Sequence, residues 1–541
     1  MRPFLTLHDP ATARGYHDAG LWTQDTFYTL MAGHAEARPD AMALRDGRSR
    51  LDWRTLRARV DAMADDMFER GIHAGDRVSI WMSNRIETVI AFLACAREGI
   101  ACNPSLHRSY TCAEIVDLLG VLQSKALVTE PGWGADRATR DFDAMLVGLP
   151  ALRKVYRPGN FPMHITQVAR KPHANPDSIA YLAFTSGTTG TPKCVMHSCN
   201  TLLANARDLV RDWRLTHAET MLTLSPLSHH IAWVGVGQWL VCGAELVTDD
   251  PPQGMGRLDW LVSTGATYVL GVPTHAMDIL AEQRARGLAR IGDVRIFYMA
   301  GSPIPEVVAK AFADQGITPQ NIYGMTECSS HQYTHPDDPR DVWISTCGRG
   351  GPAYEVRIWD RDDPDREAGP GEIGEIGGRG AAMMLGYYAN QQATERTFNR
   401  HGYLMSGDLG RFDAQGNLRI EGRVKDLIIR GGHNIFPSQI EARALTHPAV
   451  TKAAAFPIPD ERLGEKACLA IIGGLTGEQM LAHLAAEGLS KFDMPEWFLA
   501  LDTLPLTASG KILKRELTEM ARRGEIVPEA VRLANRKDPR P

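Results

Sequence analysis

The run Tyr181-Leu-Ala-Phe-Thr-Ser-Gly-Thr-Thr-Gly-Thr-Pro-Lys193 is the most informative stretch of the chain. An apolar segment with the character of a buried strand leads into a stretch dense in threonine, serine and glycine that ends in lysine. Glycines let backbone N–H groups close around phosphate oxygens, hydroxyls donate further bonds, and a lysine neutralises charge. The spacing is not G-x-x-x-x-G-K-[ST], so this is no Walker-type loop. A plain polar turn is also compatible with these residues. Hydroxyl saturation directly after a buried strand favours phosphate.

Outward from this loop, short apolar strands alternate with amphipathic helices. Leu56, Val60, Met63 and Met67 recur at helical spacing, with Gly71 placed to end that helix. Arg77–Met82 reads as a strand, and the apolar stretch Val89–Cys95 as a buried helix. Leu202, Leu203, Ala206, Leu209, Val210 and Trp213 form a further helical face, with Asn200 as its cap; strands are expected at Tyr268–Val272 and Val294–Met299. Such alternation predicts mixed or parallel sheets covered by helices. After residue 350 glycine-rich turns become dense, with β-like pieces at Glu355–Trp359 and Leu418–Glu421, so a small β-rich subdomain is expected. Beyond Gly422–Asp426, the expected linker, alternation resumes with a helix at Glu441–Leu445 and strands near Ala453–Phe456 and Ala467–Ile472.

At 541 residues the chain exceeds what one core usually serves, so two or more domains are expected. Apolar content of 44% and a net charge of -5 describe an ordinary soluble protein and give no reason to expect nucleic-acid binding or attachment to anionic membrane. Nine scattered cysteines without a C-x-x-C or a zinc spacing point to free thiols in a reducing compartment. The N-terminus lacks the apolar core of a secretory signal, and no run approaches the ~20 apolar residues of a membrane span. A cytoplasmic location is expected.

Thr185–Lys193 resembles the signature loop of the adenylate-forming superfamily: acyl-CoA synthetases, adenylation domains and luciferases. Tyr323-Gly-Met-Thr-Glu327 is similar to the family's second motif, Ser406-Gly-Asp408 to its ribose-binding motif, and Gly422-Arg-Val-Lys-Asp426 to its interdomain hinge. Gly431-Gly-His-Asn-Ile-Phe-Pro-Ser-Gln-Ile-Glu441 and Pro505-Leu-Thr-Ala-Ser-Gly-Lys511 complete the set, in family order. The resemblance spans roughly residues 25–525. It implies an α/β architecture: a large N-terminal AMP-binding domain (1–422) of two helix-covered sheet subdomains plus a β-rich subdomain, a hinge (423–426), and a small mobile α+β C-terminal domain (427–541). It also implies two half-reactions. A carboxylate attacks the α-phosphorus of ATP to give an acyl-adenylate and pyrophosphate, and CoA then takes the acyl group and releases AMP.

The site residues follow from the same resemblance. Thr185, Ser186, Gly187, Thr188, Thr189, Gly190 and Lys193 would cradle phosphate, with Thr326 a further phosphate contact and Glu327 helping to hold Mg²⁺, which prefers one or two carboxylates plus phosphates. Gly301, Ser302, Pro303 and Tyr323 would enclose adenine, with a simple strand-end turn as the competing reading, and Gly324 joins the ATP/AMP-binding set. Asp408 would accept the ribose hydroxyls, where its residue type alone also suits turn capping; Arg423 joins the nucleotide set. Lys511, by itself only a solvated lysine in a glycine turn, matches the catalytic lysine that bridges carboxylate and phosphate. Lys425 occupies the hinge, and Gly431 and Gly432 the pantetheine tunnel of the second conformation. His229 matches the residue near the acyl group and the thiol path, although a loop histidine is more often structural. His230, Trp233, Val236, Met325 and Ser330 would line the acyl pocket. Pro505–Lys511 also resembles a site that lysine acetyltransferases modify, making such an enzyme a candidate partner at Lys511.

Two departures stand out: Cys194 follows Lys193 where glycine is usual, adding a side chain beside the loop, and Cys199 stands where histidine is frequent. Asn103-Pro-Ser-Leu-His-Arg-Ser109 is similar to the branch of aryl-acid adenylating enzymes and alicyclic-acid CoA ligases. That branch's catechol-reading asparagine is replaced by His230, which argues against a dihydroxybenzoate. The expected substrate is a small-to-medium apolar acid, cyclohexanecarboxylate first and medium-chain fatty acids next. The competing functions are a stand-alone enzyme that loads a carrier protein, a luciferase-like oxygenase, and a non-catalytic relative. With no carrier domain following, free CoA is favoured over the first. Retention of Lys511, Glu327 and Asp408 disfavours the last.

Overall fold

The computed structural model describes residues 4–162, 170–185, 192–507 and 511–532. An eight-stranded sheet runs Ser329–Tyr333, Thr318–Met325, Ile296–Met299, Tyr268–Gly271, Thr220–Thr223, Glu245–Thr248, Met42–Arg45, Arg50–Asp52. Its edge pairs are antiparallel and its interior pairs parallel. A six-stranded sheet runs Lys154–Tyr156, Ala126–Thr129, Arg77–Trp81, Ala101–Asn103, Ile179–Thr185, Lys193–Ser198. It is parallel except for its last pair.

The helix His230–Cys242 explains how these two sheets become one body. Its sequence is apolar on every side, as a helix buried all round must be. It meets strands of the eight-stranded sheet on one side and the helices Phe27–Ala37 and Cys199–Asp212 on the other. Trp239 from this helix stacks on Trp53 at 5.1 Å, and one continuous apolar cluster joins Val78 and Tyr181 of one sheet to Met221 and Tyr298 of the other.

Tyr354–Trp359, Gly374–Gly380, Leu404–Phe412 and Leu418–Arg423 form a four-stranded antiparallel sheet, the expected β-rich subdomain. A single 3-10 turn, Val424–Asp426, follows it. A further six-stranded sheet (Ile428–Arg430, His433–Ile435, Val450–Asp460, Gly464–Gly473, Trp497–Ala500, Glu529–Ala530) is covered by helices Pro437–Ala444, Gly477–Ala486 and Lys514–Arg522. Alternating helices and sheets thus match the expected α/β class.

Local details sharpen several expectations. The helix Trp53–Glu69 ends as its glycine signals: Gly71 has φ +70° and its N–H reaches the Phe68 carbonyl at 2.9 Å. The helix Cys199–Asp212 is capped by Ser198, not Asn200: Ser198 accepts from the Thr201 N–H at 3.2 Å, and Thr201 reciprocates. Asn200 sits one position inside the helix, where its amide instead bonds the backbone of Thr23 and the Asp177 carboxylate. The expected Glu441–Leu445 helix begins earlier, because Pro437 suits its first turn.

Candidate active site

Strand Ile179–Thr185 does not cross over to a parallel neighbour after the Thr/Gly run. It turns back, and Thr185 pairs with Lys193 at the mouth of an antiparallel hairpin. The Thr/Gly run therefore connects two antiparallel strands whose residues are largely buried. Ser186, Gly187, Thr188, Thr189 and Gly190 lie outside the described residues. On the return strand Lys193, Val195 and His197 share one face. Cys194 points the other way, buried with Leu385 and Tyr388, and its carbonyl accepts the Tyr388 N–H at 2.7 Å. The extra side chain next to the loop is thus absorbed into apolar packing, and Cys199 is likewise buried, at the helix start.

Opposite the hairpin, the strand Thr318–Met325 delivers Tyr323 and Gly324 and turns into Thr326 and Glu327. Gly324 is obligatory here, since a Cβ would stand 1.9 Å from the Ser329 carbonyl oxygen. The Thr326 carbonyl lies 2.7 Å from His197 Nε2. Glu327 is buried and accepts a 2.8 Å hydrogen bond from the Tyr387 hydroxyl; burial raises its pKa, against the pull of that hydrogen bond and of Lys193 and Arg423. Lys193 Nζ lies over the Tyr387 ring, 4.6 Å from its centre.

Asp408 lies on the strand Leu404–Phe412, directly across from Arg423 on the next strand. Its two oxygens are held from two sides, by the Tyr323 hydroxyl at 2.9 Å and by Arg423 Nε at 2.7 Å. The tyrosine's own ionisation is pushed well up, by burial and then by the Asp408 charge, so it stays a donor.

Lys511 enters this group from the segment between the strand Trp497–Ala500 and the helix Lys514–Arg522. Its N–H donates to the Thr507 hydroxyl at 3.0 Å and its carbonyl accepts the Thr507 N–H at 2.7 Å, which fixes the base of the side chain. Gly301, with φ +92°, makes room for it: a Cβ there would come 3.5 Å from Lys511 Cε and 3.0 Å from Ile231 Cδ1. The residue as a whole remains exposed, while its ammonium end is crowded by protein. That desolvation, with Arg423, lowers its pKa, and Asp408 and Glu327 oppose the shift. Ser302 and Pro303 follow Gly301 in an open bend.

A second cluster lies behind the nucleotide groups. His230 begins the buried helix, its Nε2 3.1 Å from the Ser329 hydroxyl and its Nδ1 3.3 Å from the Tyr181 hydroxyl. Its ring stacks 5.6 Å from that of His197. Burial pushes His197 down to about 4 and His230 well below the ordinary histidine range, so both rings are neutral at pH 7. Ser330 bonds Tyr298 through their hydroxyls. Trp233 is packed 4.2 Å from the Phe92 ring, its N–H on the Leu227 carbonyl. Val236 is fully buried, and Met325 is half-buried between two apolar clusters. His229 lies parallel to His107, ring centres 4.2 Å apart, and His107 Nδ1 is 3.0 Å from the Ser228 hydroxyl.

Gly431 and Gly432 have a backbone reason of their own. Arg430 pairs with His433 across a two-residue hairpin turn, and both glycines have positive φ, +58° and +87°, as a type I′ turn demands. Lys425 lies in the turn Val424–Asp426. The structure thus brings Lys193, Tyr323, Thr326, Glu327, Asp408, Arg423, Gly301 and Lys511 into one group, with His230 and Ser330 behind it. Sequence reading missed Tyr387, Tyr181, His197 and Ser329. Only His197 left a signal, four residues beyond Lys193 on the same strand face.

A hairpin closed by a lysine, a carboxylate clamped by a tyrosine and an arginine, and a lysine inserted from the segment before the helix Lys514–Arg522 fit a nucleotide-dependent ligase. The AMP-binding enzyme model matches residues 31–388, and the AMP-binding enzyme C-terminal domain model residues 439–511. The chain belongs to the AMP-binding enzyme family and is an AMP-forming acid–thiol ligase of acyl-CoA synthetase-like fold. It is 30% identical over 538 residues to the medium-chain fatty-acid–CoA ligase of Escherichia coli (strain K12), covering 95% of this chain and 93% of that protein. It is 31% identical to a salicylyl-CoA synthase / salicylate adenylyltransferase of a Streptomyces species, covering 94% and 96%. Among solved structures, ATP-bound MatB from Rhodopseudomonas palustris superposes with a TM-score of 0.80 at 25% identity, covering 92% of this chain and 99% of that one. No helix among the described residues is long and apolar enough to cross a membrane.

Proposed function

We propose that the enzyme joins a small-to-medium acid, uncharged apart from its carboxylate, to CoA in the cytoplasm, with cyclohexanecarboxylate as the leading substrate. The observation that carries this reading is the electrostatic contrast within the site. Lys193 and Lys511 stand on the side assigned here to the triphosphate, whereas His197 and His230 on the side assigned to the acyl group are neutral. A second substrate charge placed there would be buried without a partner.

In this reading Lys193 and the hairpin loop bind the leaving pyrophosphate, and Asp408 accepts the ribose hydroxyls while Tyr323 and Arg423 hold it in place. Gly301 would border the adenine while leaving room for the Lys511 side chain, and Gly324 would join the nucleotide-binding set. Lys511 spans the attacking carboxylate and the α-phosphate and offsets the charge that develops between them. A single buried carboxylate, with no cluster of three metal-ligating side chains among the described residues, suits a magnesium ion that takes most of its ligands from phosphate and water. Glu327 would hold that ion, which when bound neutralises phosphate charge. For the second half-reaction, residues 427–541 turn relative to 1–422 about Val424–Asp426, with Lys425 at the pivot. The Gly431-Gly432 turn then borders the thiol's path, and His229 stands beside the acyl carbon.

A panel of carboxylic acids assayed for CoA-dependent AMP release tests this. Neutral alicyclic or medium-chain acids are expected to be turned over; release with a carrier protein but not with CoA would overturn the CoA assignment. The second reading, a ring acid loaded onto a carrier, draws support from the hydroxyls of Ser329 and Tyr181 around His230, which could meet a ring substituent.

A further inference from the structure

Building on the assignment of Lys193 and Glu327 to ATP handling, we propose that Tyr387 is a positioning residue that holds these two groups apart and aimed at the phosphates. It uses its ring face for one and its hydroxyl for the other. The lysine comes from the return strand of the hairpin and the glutamate from the loop after Met325. Tyr387 stands between them, with Lys193 Nζ 4.6 Å from its ring centre and its hydroxyl donating to Glu327 Oε1 at 2.8 Å.

The chemistry of this arrangement matters. A carboxylate paired directly with Lys193 would compete with phosphate for the ammonium. An aromatic face holds a cation by its quadrupole without cancelling the charge. The hydroxyl likewise occupies one lone pair of Glu327, fixing the carboxylate's rotation while leaving its remaining acceptor sites open.

Tyr387 is itself held rigidly, as a positioning group must be. It bridges to Val195, the residue between Lys193 and His197 on the strand face, and its N–H bonds the Thr394 hydroxyl at 3.0 Å. The flanking backbone is tied to the hairpin by Met196 N–H to the Gly386 carbonyl (3.0 Å), Leu385 N–H to the Met196 carbonyl (2.8 Å) and Tyr388 N–H to the Cys194 carbonyl (2.7 Å). From the outside, the N-terminal arm closes over the same segment. Leu7 N–H bonds the Leu385 carbonyl at 3.1 Å, and Phe4 meets Tyr388 edge-on at 5.8 Å. The 384–388 segment is thus gripped on two sides, and Tyr387 is 3% exposed.

The test compares Tyr387→Phe, Tyr387→Leu, Lys193→Ala and the Lys193→Ala/Tyr387→Leu double variant. ATP binding is measured by calorimetry in EDTA, and the two half-reactions by ATP–pyrophosphate exchange and by thioester formation from supplied acyl-adenylate. Tyr387→Leu is expected to weaken metal-free ATP binding about fivefold, with no further loss when Lys193 is already alanine. Tyr387→Phe keeps the ring and is expected to keep metal-free ATP affinity. It loses exchange activity about tenfold through the unheld Glu327, while thioester formation is unchanged. Additive losses in the double variant, or equal loss of both half-reactions in Tyr387→Phe, would overturn the proposal and leave Tyr387 a core tyrosine. If Tyr387→Leu fails to fold, the split between half-reactions in Tyr387→Phe decides alone. If Lys193→Ala alone leaves ATP binding untouched, the phosphate assignment falls, and the proposal with it.

Discussion

The two sides of the site, assigned in the proposed function to the nucleotide and to the acyl group, meet opposite electrostatic problems with neighbouring residues. On the nucleotide side the groups are charged and held by partners: Asp408 by Tyr323 and Arg423, Glu327 by Tyr387, Lys193 over a ring. On the acyl side His197 and His230 are driven neutral by burial and tied to hydroxyls and a carbonyl. His197 touches both, because its Nε2 meets the Thr326 carbonyl one residue before Glu327. If the two sides hold the nucleotide and the acyl body as proposed, the contrast means that the site would sort its substrates by charge, meeting a polyanion with cations and a neutral acyl body with neutral groups.

The largest expected effect comes from removing the one charge that must reach across both sides. Lys511→Gln should lower acyl-adenylate formation by about 100- to 1000-fold, while thioester formation from supplied adenylate is retained. Stopped-flow or isotope-exchange measurement of each half-reaction checks this, and equal loss in both would contradict it. Acetylation of Lys511 by a lysine acetyltransferase would have the same sign, since it removes the charge.

Breaking the neutral side should cost stability before it costs chemistry. His230→Phe leaves the buried Tyr181 and Ser329 hydroxyls short of a partner, a loss of about 1–3 kcal/mol that a urea unfolding midpoint would register. The pH dependence sharpens the same point. In the unfolded chain His197 takes up a proton below about 6.5, whereas in the folded protein it does so only near 4. Its contribution to stability is therefore complete above pH 6.5 and is lost as pH falls towards 4, at up to about 1.4 kcal/mol per pH unit. Melting curves of His197→Gln across that range should show a shallower slope than the parent protein. The smallest effect is expected at Gly432→Ala. With φ +87° and no neighbour within 4 Å of a new Cβ, the cost is backbone strain of about 1 kcal/mol. Thioester formation should fall more than adenylation, and unequal rate constants for the two half-reactions would show it.

How much of this was legible in the sequence follows from the range of each interaction. The helix Trp53–Glu69 with Gly71 just beyond it and the strand Arg77–Trp81 were readable because periodicity and turn chemistry act over a few residues. Residues 181–193 were read for phosphate chemistry, and the antiparallel pairing of Thr185 with Lys193 was not readable there, since nothing in that stretch announces that the chain turns back on itself. Ser198 displaced Asn200 as a cap because Asn200 was drawn to Thr23, 177 residues away. Tyr387 was invisible for the same reason, its partner Glu327 lying 60 residues distant. The two glycines at 431 and 432 were read for a ligand path, and the hairpin turn gives them a conformational reason besides.

The most direct test of the charge-sorting account is a pair-matched acid panel in pyrophosphate exchange. Cyclohexanecarboxylate and a medium-chain fatty acid would each be measured beside a dicarboxylate of similar size. The account predicts that the neutral-bodied member of each pair supports exchange and its doubly charged counterpart does not. A dicarboxylate preferred over its neutral match would contradict it.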